Sequence, residues 1–463
     1  MNQPTVLLLT ALWLTTAEAT HAADSKPGKP NILFIVGDDM GYADVGFHKC
    51  KDIPTPNLDA LAAAGVRFTN GYVSGTYCSP TRAALLTGCY QTRFGHEFNP
   101  NGLHGLPLSE ATIADRLKAA GYVTGLVGKW HLGSEPAMRP QKRGFDEFFG
   151  FLAGAHSYLN RAGILRGDEP VTELDYTTDA FGREAAAFIE RHKAQPWFLY
   201  LAFNAVHTPM QATDERLARF SNITDNKRRT YAAMMTALDD NVGVVRKKLA
   251  DSGLDKNTFI IFISDNGGPN MPGTSQNGSS NAPLRGSKRT TLEGGIRVPF
   301  LVAWPGHIKP GVCDQPAIQL DLTATAIDLA GANNEKLEGV NLLPFLTGKK
   351  TGVPHEALYW RFGKQMAIRV GDYKLVRYDP NVDTRTGVRR QPVTAPKLYN
   401  LAADIGETND LATAQPDKAK ELQAKWNDWN QSNVAPLWGD DRVDSDGPEP
   451  GTPRKRGKKK TAQ

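Results

Sequence analysis

The chain has 463 residues, 40% of them hydrophobic and 22% charged, so it can bury a large core and is too apolar for wholesale disorder. Its 44 glycines and 30 prolines indicate many loops, without the periodicity of a fibrous protein. The net charge of +5 rests on six basic residues between Arg454 and Lys460; without those six it is −1, which argues against a nucleic-acid-binding groove.

Val6 to Trp13 is an apolar stretch followed by small residues up to Ala22-Ala23. It reads as a signal peptide over residues 1–22, although no Lys or Arg precedes it, and implies export to a periplasmic, extracellular or lysosome-like compartment. No stretch reaches the roughly 18 apolar residues that a transmembrane helix requires. Asn31 to Val36 is a continuous apolar run ending at Gly37-Asp38-Asp39, the pattern of a buried strand opening into an acidic loop. Asn57 to Ala64 and Glu110 to Ala120 read as helices stopped by Gly65 and Gly121. Tyr122 to Val127, Trp197 to Phe203, Thr258 to Ile263 and Val298 to Ala303 read as further strands, and Tyr231 to Ala250 as a helix. This alternation predicts an α/β domain with a large, mostly parallel sheet over residues 28–350. Over residues 351–435 the short strands Leu358 to Arg361, Gln365 to Val370, Tyr373 to Tyr378 and Lys397 to Asn400 predict a small antiparallel α+β subdomain. A helix from Asp417 to Asn430 completes it, and residues 439–463 read as a disordered basic tail suited to a polyanion.

The four cysteines, Cys50, Cys78, Cys89 and Cys313, include no C-x-x-C pair, so a zinc or thioredoxin-like site is not indicated and at most two disulfides can form. Four of the apolar runs end in groups capable of chemistry. Val36 leads to Asp38 and Asp39, Val127 to Lys129 and His131, Phe203 to Asn204 and His207, and Ile263 to Asp265 and Asn266. Ligands in open α/β sheets bind beyond the carboxyl ends of the strands, so these residues predict one active-site edge. Asp38, Asp39, Asp265 and Asn266 are all oxygen donors, which suits Ca²⁺, or less well Mg²⁺, better than zinc. Adjacent carboxylates in a dry site repel unless a cation lies between them.

Tyr77-Cys78-Ser79-Pro80-Thr81-Arg82 has the form of a helix start, with Ser79 as N-cap and Pro80 as first helical residue. Cys78 would then lie at the positive end of the helix dipole with a lowered pKa, and Arg82 one turn on would reach the same place.

Cys78-x-Pro80-x-Arg82 followed by Leu86-Thr87-Gly88 resembles the signature of the type I sulfatases. Asp38-Asp39, Gly128-Lys129-Trp130-His131, His207-Thr208-Pro209, Asp265-Asn266-Gly267, and Leu284-Arg285-Gly286-Ser287-Lys288 followed by Glu293-Gly294-Gly295 occur in that family's order. The resemblance covers roughly residues 28 to 435. It implies an alkaline-phosphatase-like sandwich and a sulfuric ester hydrolase that also takes aryl sulfates; the expected export points to sulfated carbohydrates, which an enzyme meets outside the cell, as the natural substrate.

It also implies that a maturation enzyme oxidises Cys78 to Cα-formylglycine before folding. Asp38, Asp39, Asp265, Asn266 and an oxygen of residue 78 would hold Ca²⁺. One hydroxyl of the hydrated aldehyde would attack sulfur, with Asp265 accepting the proton. Lys129 and Lys288 would neutralise the sulfate oxygens, and His207, helped by Lys288, would protonate the leaving alcohol. A second hydroxyl, deprotonated with help from His131, would expel sulfate, and Arg82 would orient the diol. A phosphonate or phosphodiester hydrolase on the same fold, or a sugar-binding homologue whose Cys78 is never converted, are the alternatives. His96, His104, His156 and Arg161 are candidates for shaping the substrate pocket but belong to no motif. Asn222, Asn277 and Asn430 head Asn-x-Ser/Thr sequons.

Overall fold

The apolar runs become the strands of the sheet that carries the site. The computed structural model describes Met1 and residues 28–100, 104–270, 276–380 and 393–438; the expected signal peptide and basic tail lie outside them. In chain order the strands are β1 Asn31–Gly37, β2 Val66–Phe68, β3 Gly71–Tyr72, β4 Val123–Lys129, β5 Glu147–Phe151, β6 Leu165–Arg166, β7 Glu169–Pro170 and β8 Trp197–Ala202. They continue with β9 Thr258–Ser264, β10 Phe300–Ala303, β11 Gly311–Cys313, β12 Ala317–Ile318, β13 Leu358–Phe362, β14 Gln365–Val370, β15 Tyr373–Arg377 and β16 Lys397–Asn400. The large sheet has ten strands in the order β11-β2-β10-β9-β1-β8-β4-β5-β6-β7. Its centre, β9-β1-β8-β4-β5, is parallel throughout.

β1, β8 and β9 are buried on both faces, which is why each reads as a continuous apolar run rather than an alternating one. Leu33, Ile35, Leu199 and Leu201 point to one face, where helices Thr177–His192 and Asn226–Asp251 cover them. Ile32, Phe34, Phe198 and Tyr200 point to the other, under helices Cys78–Thr87, Ile113–Ala119 and Gln319–Ala330. The result is the expected α/β sandwich. Helices Thr177–His192 and Gln319–Ala330 were not expected, and two strands also differ from expectation. The run Val298 to Ala303 forms β10 only from Phe300 and pairs antiparallel with β2 and β9. β4 continues to Lys129, so that lysine is the last strand residue and not the first loop residue.

β13 to β16 form the expected antiparallel sheet. One face packs Trp360, Val376 and Tyr399 on Tyr72, Leu292 and Ile318 of the main body. The other packs Met366, Ile368, Leu375 and Leu398 on Leu422 of helix Pro416–Asn430. All four cysteines are free, so neither permitted disulfide forms. No described helix is long and apolar enough to cross a membrane.

Candidate active site

Strand register assembles the site. Gly37 is paired with Ser264, Val36 with Ala202 and Gly128 with Ala202, so β1, β8, β9 and β4 end side by side. The pairing runs one step further: Asp38 donates its N–H to Ala205 O at 2.9 Å and Asp265 to Gly37 O at 3.1 Å. Gly128 approaches β8 so closely, at a φ of +113°, that a Cβ there would lie 1.9 Å from Ala202 O, so glycine is required. Asp39 and His131 also hold left-handed backbone, at φ +59° and +60°.

Helix Cys78–Thr87 supplies Cys78 and Arg82. It begins at Cys78 with Tyr77 as N-cap and no side-chain cap, so the expected Ser79 cap is not made. The Ser79 hydroxyl is engaged instead with His96 Nε2 at 2.6 Å and His131 O at 2.7 Å. Cys78 Sγ is 3.6 Å from Asp38 Oδ1 and 3.9 Å from Asp39 Oδ1. Its thiol pKa is well above the usual value, not below it. Complete burial outweighs the attraction of Lys129 and Lys288, and Asp265 and Asp38 add to the rise.

The carboxylates and cations interleave. Lys129 Nζ is 2.6 Å from Asp38 Oδ2, and Lys288 Nζ is 2.9 Å from both Asp39 oxygens. Arg82 grips Asp265 Oδ2 through Nε at 3.0 Å and Nη2 at 2.8 Å, and its Nη2 lies 3.6 Å from Asp38. Each of the three aspartates thus faces a cation, and the expected mutual repulsion is already offset by these ion pairs. Two further bonds tie Asp39 to the end of β9: Asn266 Nδ2 donates to Asp39 Oδ1 at 2.7 Å, and Asp265 Oδ1 accepts the Asp39 N–H at 3.2 Å.

His207 Nδ1 lies 2.6 Å from Thr208 O, turning Nε2 toward Asp39 Oδ2 at 3.5 Å. Burial first, then the charges of Lys129 and Arg82, push His131 well below the usual imidazole range, so it is neutral. Asp38, Asp39, Cys78 and His207 each offer a ligand atom, all within 4.8 Å of one another and all buried. This set could hold a metal ion. Asn266 Oδ1 is buried without a hydrogen-bond partner, as an atom kept for a ligand would be.

All ten residues singled out from sequence converge on this edge. Two neighbours were not assigned roles. Asn277 is buried, and its Nδ2 donates to Asp39 O at 3.0 Å and Val206 O at 2.9 Å, fixing the Asp39 backbone. Its sequon is therefore inaccessible in the folded chain. His96 is buried against Ser79, and burial lowers its pKa to about 3. His96 has no sequence signal beyond its place in a loop, and the Asn277 sequon does not point to this role.

The sulfatase family model matches residues 30–332, and the model for the C-terminal region of N-sulphoglucosamine sulphohydrolase matches residues 286–428. The chain is 36% identical to N-acetylgalactosamine-6-sulfatase of Homo sapiens over 86% of its own length and 85% of that protein's. It is 35% identical to arylsulfatase A of Bos taurus, over 89% of each. Among solved structures, Ps i-CgsB in complex with k-i-k-neocarrahexaose superposes with a TM-score of 0.80 at 37% identity, covering 89% of this chain and 94% of that one.

Proposed function

The chain belongs to the sulfatase family and is a sulfuric ester hydrolase, and from this premise we propose that it is an exported enzyme releasing inorganic sulfate from sulfated carbohydrates, with aryl sulfates as accessory substrates, by means of Cα-formylglycine at position 78 and Ca²⁺. The observation that carries the reading is the buried convergence of Asp38, Asp39, Cys78 and His207 with Lys129 and Lys288. Asp38, Asp39, Asp265, Asn266 and residue 78 would hold the cation; the oxygen-rich set and the unpartnered Asn266 Oδ1 favour Ca²⁺ over zinc. When bound, Ca²⁺ would supply Lewis-acid stabilisation of sulfate oxygens and formylglycine the attacking oxygen.

The chain's own groups do the rest. Lys129 and Lys288 lie where charge develops on the sulfate oxygens and act as preorganised countercharges. Asp265, held by Arg82, accepts a proton. His207, oriented through Nδ1 by Thr208 O, presents Nε2 to the site and protonates the leaving alcohol. His131, neutral, accepts a proton in the second half of the reaction. A formylglycine-generating enzyme would act on Cys78 before folding, since the thiol is fully enclosed afterwards. The carbohydrate reading is supported by the relative named N-acetylgalactosamine-6-sulfatase and by the neocarrahexaose complex. Residues 28–350 would form the catalytic domain and residues 351–435 its C-terminal subdomain.

Parallel assays on 4-nitrophenyl sulfate and bis(4-nitrophenyl) phosphate, before and after chelation, test this. The sulfate is expected to be the faster substrate, with the rate lost on chelation and restored by Ca²⁺. A preference for the phosphate diester, or a full rate after chelation, would overturn the reading.

A further inference from the structure

The segment after helix Pro416–Asn430 returns to the catalytic edge. Asn433 Oδ1 accepts from Arg93 Nη1 at 2.9 Å and Thr92 Oγ1 at 2.8 Å. Val434 N–H donates to Thr92 O at 3.1 Å and Leu437 N–H to Gly95 O at 2.9 Å. Trp438 follows, and its indole N–H donates to Phe98 O at 3.0 Å.

Trp438 packs on the cluster of Tyr77, Phe98 and Phe362, and Tyr77 immediately precedes Cys78. Its ring also meets His96 edge-on at a centroid distance of 4.7 Å, and His96 bonds Ser79, the residue after Cys78. Trp438 therefore packs on the cluster that holds Tyr77, before residue 78, and on the His96 ring that bonds Ser79, after it. His104 stacks on the same indole, with centroids 5.4 Å apart and planes 6° from parallel. His104 is exposed and Trp438 half-buried.

We propose that His104 and Trp438 form a stacking subsite beside residue 78 that binds a pyranose ring of a sulfated oligosaccharide. The subsite rests on the carbohydrate reading of the proposed function and gives it a location. The flat C–H face of a pyranose is apolar and its rim is polar. A stacked aromatic pair whose histidine is exposed can offer a ring and a polar edge to match both. The indole is fixed by its hydrogen bond and by packing, and neither ring has many rotors to immobilise, so little ordering entropy opposes binding. The C-terminal segment thus brings a side chain to a site whose nucleophile position is 360 residues earlier in the chain.

The test is kinetic. Trp438→Ala, Trp438→Phe and His104→Ala are compared with the wild type on 4-nitrophenyl sulfate, on N-acetylgalactosamine 6-sulfate and on an ι-carrageenan hexasaccharide. Trp438→Ala and His104→Ala are expected to raise KM for whichever sugar is the better substrate by about tenfold, the worth of one aromatic stacking contact. The sugar kcat and the kcat/KM for 4-nitrophenyl sulfate should change by less than about threefold, and Trp438→Phe should recover most of the sugar KM. An unchanged sugar KM, or equal losses on sugar and aryl substrates, overturns the subsite while leaving the carbohydrate reading intact. A wild type that hydrolyses 4-nitrophenyl sulfate but neither sugar overturns the carbohydrate reading, and the subsite with it.

Discussion

Cys78 concentrates the chemistry in one side chain and contributes little to packing. It sits at the first turn of its helix, between two aspartates and two lysines, with its thiol strongly disfavoured as thiolate by burial. A thiol so placed is a poor nucleophile in its own right, which agrees with its being a precursor rather than the reactive group. Cys78→Ala is expected to abolish turnover of 4-nitrophenyl sulfate while leaving the melting temperature within a few degrees of wild type, because only one sulfur is removed. Cys78→Ser should give no more than a trace of turnover. Near wild-type turnover by Cys78→Ala would contradict the assignment. At this scale the sequence was informative wherever a motif stood at a strand end. It misled on Ser79, whose hydroxyl is used across the fold rather than along its helix, and on the Cys78 pKa, where helix-dipole reasoning neglected desolvation. It could not reveal Asn277, because a buried asparagine that fixes a carbonyl looks like any loop asparagine.

At the scale of elements, the loop carrying Lys288 is anchored by the C-terminal sheet. Gln365 Nε2 donates to Arg289 O at 2.8 Å, and Lys374 on β15 lies 2.8 Å from Glu293 and 2.9 Å from Glu407, all three buried. Glu293 also accepts from Tyr72 OH at 2.7 Å, and Glu407 Oε2 accepts the Glu293 N–H at 2.7 Å. The Glu293-Gly294-Gly295 motif is therefore a junction between sheet and loop. Burial opposes ionisation of Glu293, but Lys374, Arg297 and Arg369 outweigh it and hold its pKa at about 2. Burial and the neighbouring Glu293 raise Glu407 to about 7 against the pull of Lys374. Lys374→Met is expected to cost about 3–5 kcal/mol in denaturant unfolding, because it strands buried carboxylates. The pH dependence has a definite sign. Glu407, raised above its unfolded value of 4.5, favours the folded state when protonated, and that contribution is lost as pH rises to about 7. Glu293, lowered to about 2, contributes stability that is present above 4.5 and lost only as pH falls toward 2. The melting-temperature difference between Glu407→Gln and wild type should therefore shift in favour of the variant between pH 5 and pH 7. Parallel curves over that range would show that Glu407 does not titrate there.

Over the whole molecule, the catalytic edge draws on residues from Asp38 to Lys288, and the C-terminal sheet braces the loop that carries Lys288. The central strands were legible because burial on both faces leaves uninterrupted apolar runs. Helix Gln319–Ala330 was not, because it is buried almost all round and shows no amphipathic contrast. The antiparallel direction of β10 and the return of Trp438 to Phe98 are consequences of long-range pairing, which local pattern does not encode. The central claim is that this arrangement serves a formylglycine at position 78. Its most direct test is mass spectrometry of the peptide containing residue 78, taken from protein shown to turn over 4-nitrophenyl sulfate many times. The account requires an aldehyde in place of the thiol in the active fraction; an unmodified cysteine throughout protein of full activity would contradict it.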